Sequence, residues 1–251
     1  MAPALLLAFF GGLVLGSFVT VVGYRVPRGE SIVGPRSRCT SCGAQIAAYD
    51  NIPVFSWVLL RGRSRCCGER ISARYPLTEL SLGVLYSATV AVLWDDPVEV
   101  ALGLVFVTTL VAITLTDLER RVIPNRVLLV AAIAGVVIAA VGDPSSLPER
   151  AAAAAAAGGG LFLVALAYPR GMGLGDVKLA AVMGLFLGRN VAPAILVALF
   201  AGSAVGLVMI ARHGAEARKR AIPFGPFLAL GGIVGLLAGD QLVDWYLSTF
   251  S

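Results

Sequence analysis

Stretches without a single charged residue recur along the whole chain. They cover residues 1–24, 80–94, 100–116, 127–142, 151–169, 191–211 and 221–239, with a shorter one at 179–188. A helix needs about 20 apolar residues, within a range of roughly 17–25, to cross the hydrocarbon layer. Most of the runs reach that length once flanking residues are added. The run 179–188 does not, and suits either a short helix buried among its neighbours or a re-entrant piece. The pattern predicts eight membrane helices, with seven as the alternative. The first run has no basic residue before it and no convincing cleavage site, so a retained helix is expected rather than a signal peptide.

Composition agrees. The chain is 58% hydrophobic and 14% charged, where a soluble domain carries about 25% charge. An all-α polytopic membrane protein is expected. Eighteen of the 20 Lys and Arg fall in alternate connections: nine between Arg25 and Arg74, then Arg120, Arg121 and Arg126, then Arg170 and Lys178, then Arg212, Arg218, Lys219 and Arg220. The other connections hold Arg150 and Arg189 with Asp95, Asp96, Glu99, Asp143 and Glu149. Basic loops stay in the cytoplasm, so both chain ends are expected outside. The net charge of +5 requires no nucleic acid, because orientation and contact with anionic membrane lipid account for it.

Three domains follow: a first transmembrane helix at 1–24, a small cytoplasmic domain at 25–75 that holds all four cysteines, and a membrane domain at 76–251. Seven consecutive alanines at 151–157 precede three glycines at 158–160, a composition suited to close packing between membrane helices.

Two aspartates then draw notice. Asp117 follows the run 100–116 and opens Asp-Leu-Glu-Arg-Arg-Val-Ile-Pro-Asn, and Asp176 ends Gly-Met-Gly-Leu-Gly-Asp. With the orientation above, both lie at the cytoplasmic edge of the membrane. Two facing carboxyls that share one proton can hydrolyse a peptide without a metal or cofactor. Gly173 and Gly175 would let the backbone pass close to a helix or substrate, and Pro124 would start the next helix. Taken singly, Asp176 reads as well as an ordinary helix cap, and Asp117 as an ordinary interfacial charge.

At these residues the sequence resembles the type IV prepilin peptidases, within the Gly-x-Gly-Asp membrane aspartyl proteases. Gly-Ser-Phe-Val-Thr-Val-Val-Gly-Tyr-Arg-Val-Pro (16–27) is similar to that family's first-helix exit. Tyr-Asp-Asn-Ile-Pro-Val-Phe-Ser-Trp (49–57) and Ser-Ala-Arg-Tyr-Pro-Leu-Thr-Glu-Leu (72–80) resemble its cytoplasmic domain and second helix. Ile-Pro-Phe-Gly-Pro-Phe-Leu-Ala-Leu-Gly (222–231) resembles its last helix entry, and Asp117 and Asp176 fall on its catalytic positions. The resemblance implies a bacterial inner-membrane enzyme that cleaves prepilins or pseudopilins after a leader-terminal Gly. It also implies methylation of the new amine from S-adenosylmethionine in many members.

The same resemblance implies a structural metal, zinc, held by two Cys-x-x-Cys pairs. Cys39 and Cys42 keep the first pair. In the second, Ser64 stands where the family has a cysteine, Cys67 matches, and Cys66 is an extra thiol. The candidate ligands are Cys39, Cys42, Cys67 and Cys66, the last if the turn adjusts. A reduced, metal-free loop is the alternative. Two rivals to a peptidase are a non-catalytic assembly protein derived from this family and a proton-coupled transporter, which would need its carboxylates near mid-bilayer.

Overall fold

A computed structural model describes residues 1–34, 36–169, 171–214 and 222–250. Of the basic residues counted above, Arg170, Arg218, Lys219 and Arg220 lie outside the described residues. Nine α-helices are found among those residues: α1 (Ala2–Arg25), α2 (Phe55–Leu59), α3 (Arg74–Val92), α4 (Pro97–Arg120), α5 (Asn125–Gly142), α6 (Leu147–Ala167), α7 (Leu174–Leu187), α8 (Val191–His213) and α9 (Gly225–Phe250). Eight are long, and the described residues form no strand beyond two isolated antiparallel bridges. Most of the run 179–188 lies in the 14-residue α7, a short helix with Leu179, Ala180, Met183 and Phe186 buried among its neighbours.

Among the described residues, six helical stretches are long and apolar enough to cross a membrane. Leu174–Arg212, which joins α7 and α8, counts as one of them, and α3 is not among them. The outward face of α5 carries Leu129, Val130, Ile133, Val137 and Val141, the last 82% exposed. A continuous stripe of this kind suits lipid, not water.

The chain divides into two compact units, 1–94 and 95–251. In the first, α1 and α3 run antiparallel: Ser87 Oγ donates to Leu5 O, and Gly12 and Gly16 meet Leu82 and Glu79. A Cβ on either glycine would come within 2.6 Å of α3 backbone. Lipid tails are as apolar as leucine, so such close backbone contact, rather than hydrophobic burial, holds membrane helices together. Residues between α1 and α3 form a small module. Its Trp57 Nε1–H donates to Ile71 O, and Arg65 pairs with Asp50. Val54, at φ 60°, is a β-branched residue in a left-handed conformation, held there by the Glu79 carboxylate, which accepts its N–H at 2.7 Å.

In the second unit, Asp96 caps α4 by accepting the N–H groups of Val98 and Glu99, with Pro97 at the first helical position where no N–H is needed. Helix α9 lays Gly231 and Gly235 against Ala194 of the antiparallel α8, and Gly239 against Asn190, which caps that helix. Helix α7 meets α6 through Gly184 and through Ala181, which faces Gly158. Phe106 of α4 stacks on Phe186 of α7, centroids 5.2 Å apart, beside Gly135 and Gly232.

Candidate active site and cysteine cluster

Asp117 sits in the last turn of α4 and is 5% exposed. Its Oδ2 accepts the Gly225 N–H at 2.9 Å, at the start of α9. A Cβ on Gly225 would lie 2.7 Å from that oxygen, so only glycine lets the backbone amide approach. Helix α4 then ends at Arg121, φ 54°. Asp176 is the third residue of α7, and its Oδ2 accepts the Gly173 N–H at 3.2 Å. The end of α4 that carries Asp117 and the start of α7 that carries Asp176 adjoin where Gly175 meets Ile123.

The expected supporting residues lie around them. Gly175 faces Ile123, where a Cβ would come within 3.0 Å of the isoleucine Cβ. Pro124 is extended and precedes α5 by one residue, which shifts it from the first helical position to the cap. Lys178 Nζ donates to Asn125 Oδ1 at 3.0 Å and ties α7 to α5. Gly225 is absent from the site residues that the sequence suggests. Its one signal is the Phe-Gly-Pro step that opens the run 221–239.

The cysteine module contains the same turn twice. Cys39 N–H donates to Ala44 O and Gly43 N–H to Cys39 O; Ser64 N–H donates to Glu69 O and Gly68 N–H to Ser64 O. Gly43 and Gly68 take the left-handed position in each, φ 73° and 72°. Ser64 therefore occupies the place that Cys39 holds in the first turn. All four cysteines are free, and their sulfurs lie within 4.8 Å of one another. Cys42 and Cys66 are 3.2 Å apart, and Cys39 and Cys67 3.6 Å. A metal–thiolate bond of about 2.3 Å gives a tetrahedron with edges of about 3.8 Å, so the four sulfurs can hold a metal ion.

Ser64 Oγ lies 3.0 Å from Cys66, 3.4 Å from Cys67 and 3.6 Å from Cys39, a position from which one hydroxyl can serve a thiolate. The backbone N–H groups of Cys42 and Ser41, and then the Ser64 hydroxyl, hold the Cys39 thiol down at about 6. The Ala44 N–H alone would lower Cys42, but the neighbouring thiols, Cys66 first, outweigh it and push Cys42 up to about 12. Four thiols this close resist losing all their protons unless a cation replaces them.

Residues 10–93 match the bacterial peptidase A24 N-terminal domain, and residues 104–211 match the type IV leader peptidase family. The chain belongs to the type IV leader peptidase family. It is 35% identical to the prepilin leader peptidase/N-methyltransferase of Aeromonas hydrophila over 97% of this chain and 94% of that protein. It is 33% identical to that of Pseudomonas putida (96% and 94% covered) and 34% identical to that of Bacillus subtilis strain 168 (95% and 96% covered). No solved structure matches the chain. As a member of this family the protein is a membrane peptidase, and its helices make it a multi-pass protein of the inner membrane. The N-terminal match spans the cysteine module. The peptidase match spans both aspartates and stops short of Gly225, the residue that holds Asp117.

Proposed function

We propose that this leader peptidase cleaves prepilins or pseudopilins after the terminal Gly of a short leader, at the cytoplasmic face of the membrane, with Asp117 and Asp176 as its catalytic pair. One observation carries the reading. Two carboxylates far apart in sequence sit at the adjoining ends of α4 and α7, where Gly175 meets Ile123, and each is held by a backbone N–H. Such an arrangement suits two carboxyls sharing one proton.

In this reading the ionised carboxylate takes a proton from water, and the water oxygen attacks the carbonyl carbon of the scissile bond. The protonated partner hydrogen-bonds the carbonyl oxygen as charge develops on it. Transfer of a proton to the amide nitrogen lets the C–N bond break. The leader leaves with a new carboxyl group, the mature chain with a new amine, and the pair again holds one proton.

The basic connections support placing the site on the cytoplasmic side, with both termini outside. We divide the chain into the first helix at 1–24, a cytoplasmic domain at 25–75 and the peptidase domain at 76–251. In the middle domain Cys39, Cys42, Cys66 and Cys67 would hold zinc, which knits a module too small for a large apolar core. Gly173, Gly175 and Pro124 shape the backbone beside the carboxylates. Methyl transfer, which the relatives' names carry, is a separate attack of the new amine on the activated methyl group of S-adenosylmethionine.

The test is co-expression with a prepilin. Wild type yields the shortened pilin, while Asp117→Ala and Asp176→Ala leave the precursor intact. Cleavage by either variant would reject the pair. The mass of the mature N-terminus reads methylation in the same sample.

A further inference from the structure

Apart in sequence from both aspartates, Arg150 is the fourth residue of α6 and is 6% exposed. Its Nη1 donates to Phe186 O at 2.8 Å and to Leu185 O at 3.3 Å, its Nε donates to Ser146 Oγ, and its Nη2 pairs with Glu99. The carbonyls of Leu185 and Phe186 belong to the last turn of α7, where a helix leaves its C=O groups without partners of its own. The adjacent Glu149 accepts the N–H of Arg189, just past the end of α7. Two consecutive residues of α6 thus grip the end of α7 from both sides, one taking carbonyls and the other an amide.

The rest of the α6–α7 contact explains why a grip is needed. Seven alanines followed by three glycines line α6, and α7 meets them through Gly184, which comes against Ala153 and Ala154, and Ala181, which comes against Gly158. Side chains this small raise shallow ridges, and a run of identical residues offers nearly the same surface after a shift. A slide of one turn, about 5.4 Å, would meet an almost equivalent face. It would also carry Asp176, in the first turn of α7, away from Asp117 on α4. A buried polar group that fixes register is the best-attested use of such groups.

We infer that Arg150, with Glu149, sets the position of α7 along its own axis and so holds Asp176 level with Asp117. Arg150 is a positioning residue, and its role rests on the catalytic pair proposed above. Glu99 neutralises the guanidinium where it is buried, which joins the start of α4 to the same anchor.

The full-length protein in lipid vesicles with a purified prepilin provides the test. Kinetics and thermal stability are measured for wild type, Arg150→Lys, and the double variant Arg150→Met with Glu99→Met, which removes both charges together. The double variant is expected to keep its melting temperature and to hold KM within about twofold, while kcat falls by about tenfold or more. Arg150→Lys keeps the charge but not the fork of donors and is expected to lose kcat in part, which gives a reading even where the double variant folds poorly. Wild-type kcat in either variant would overturn the inference, as would losses of kcat that only follow losses of folded protein. Asp117→Asn and Asp176→Asn are run alongside. Cleavage by those would instead overturn the catalytic pair.

Discussion

The two polar sites of the second unit treat their charges in opposite ways. At Arg150 the guanidinium is nearly saturated, with two backbone carbonyls, a serine hydroxyl and Glu99 around it. Asp117 and Asp176 each accept one backbone N–H through one oxygen, although a carboxylate offers about four acceptor positions. A saturated charge is a fastener, whereas an under-used one keeps capacity for water, a substrate carbonyl and a neighbour's proton. The difference separates a structural charge in a membrane from a chemical one.

The largest effect expected from breaking that contrast is at the carboxylates. Asp117→Ala and Asp176→Ala lower the rate of prepilin cleavage by about a thousandfold or more while thermal stability barely changes, as read from purified protein in vesicles. Next is Gly225→Ala. Its new Cβ would press on Asp117 Oδ2 from 2.7 Å, so the carboxylate must turn or α9 must shift, and kcat is expected to fall by about ten- to a hundredfold. At Arg150 the order reverses. Arg150→Ala leaves Glu99, 32% exposed, without its cation, a smaller loss than the ~3–5 kcal/mol of a fully buried pair. A clear drop in melting temperature is expected there, and adding Glu99→Met is expected to recover most of it.

The smallest effect on cleavage is expected in the cysteine module. Metal analysis should find zinc in wild type, and its loss from Cys66→Ser as fully as from Cys39→Ser, with cleavage reduced only by about a few-fold. Full zinc retention in Cys66→Ser would take Cys66 out of the ligand set.

Much of this was legible in the chain itself. Uncharged runs announce the long helices because the bilayer fixes their length, and Asp117 and Asp176 stand out because carboxylates beside such runs are costly. Arg150 and Glu99 read only as charges in an outer connection. Their pairing depends on how α4, α6 and α7 come together, and no periodicity records it. Gly225 looks like any glycine in a glycine-rich helix until its amide is found on Asp117. Cys66 could be read from the chain only as a conditional ligand: Ser64 and Cys67 keep the Cys-x-x-Cys interval, and the fold of the turn is what brings the extra thiol among the other three. Val54 carries no sequence sign of its left-handed backbone, which is set by Glu79 from another helix.

The central claim is that two carboxyls act as one catalytic unit, and single-turnover cleavage of a prepilin by Asp117→Asn, Asp176→Asn and the double variant tests it most directly. If they work as a pair, the double variant is no slower than the slower single one, because the first substitution already removes the unit. Losses that multiply in the double variant would mean that each aspartate acts alone, and would contradict the account.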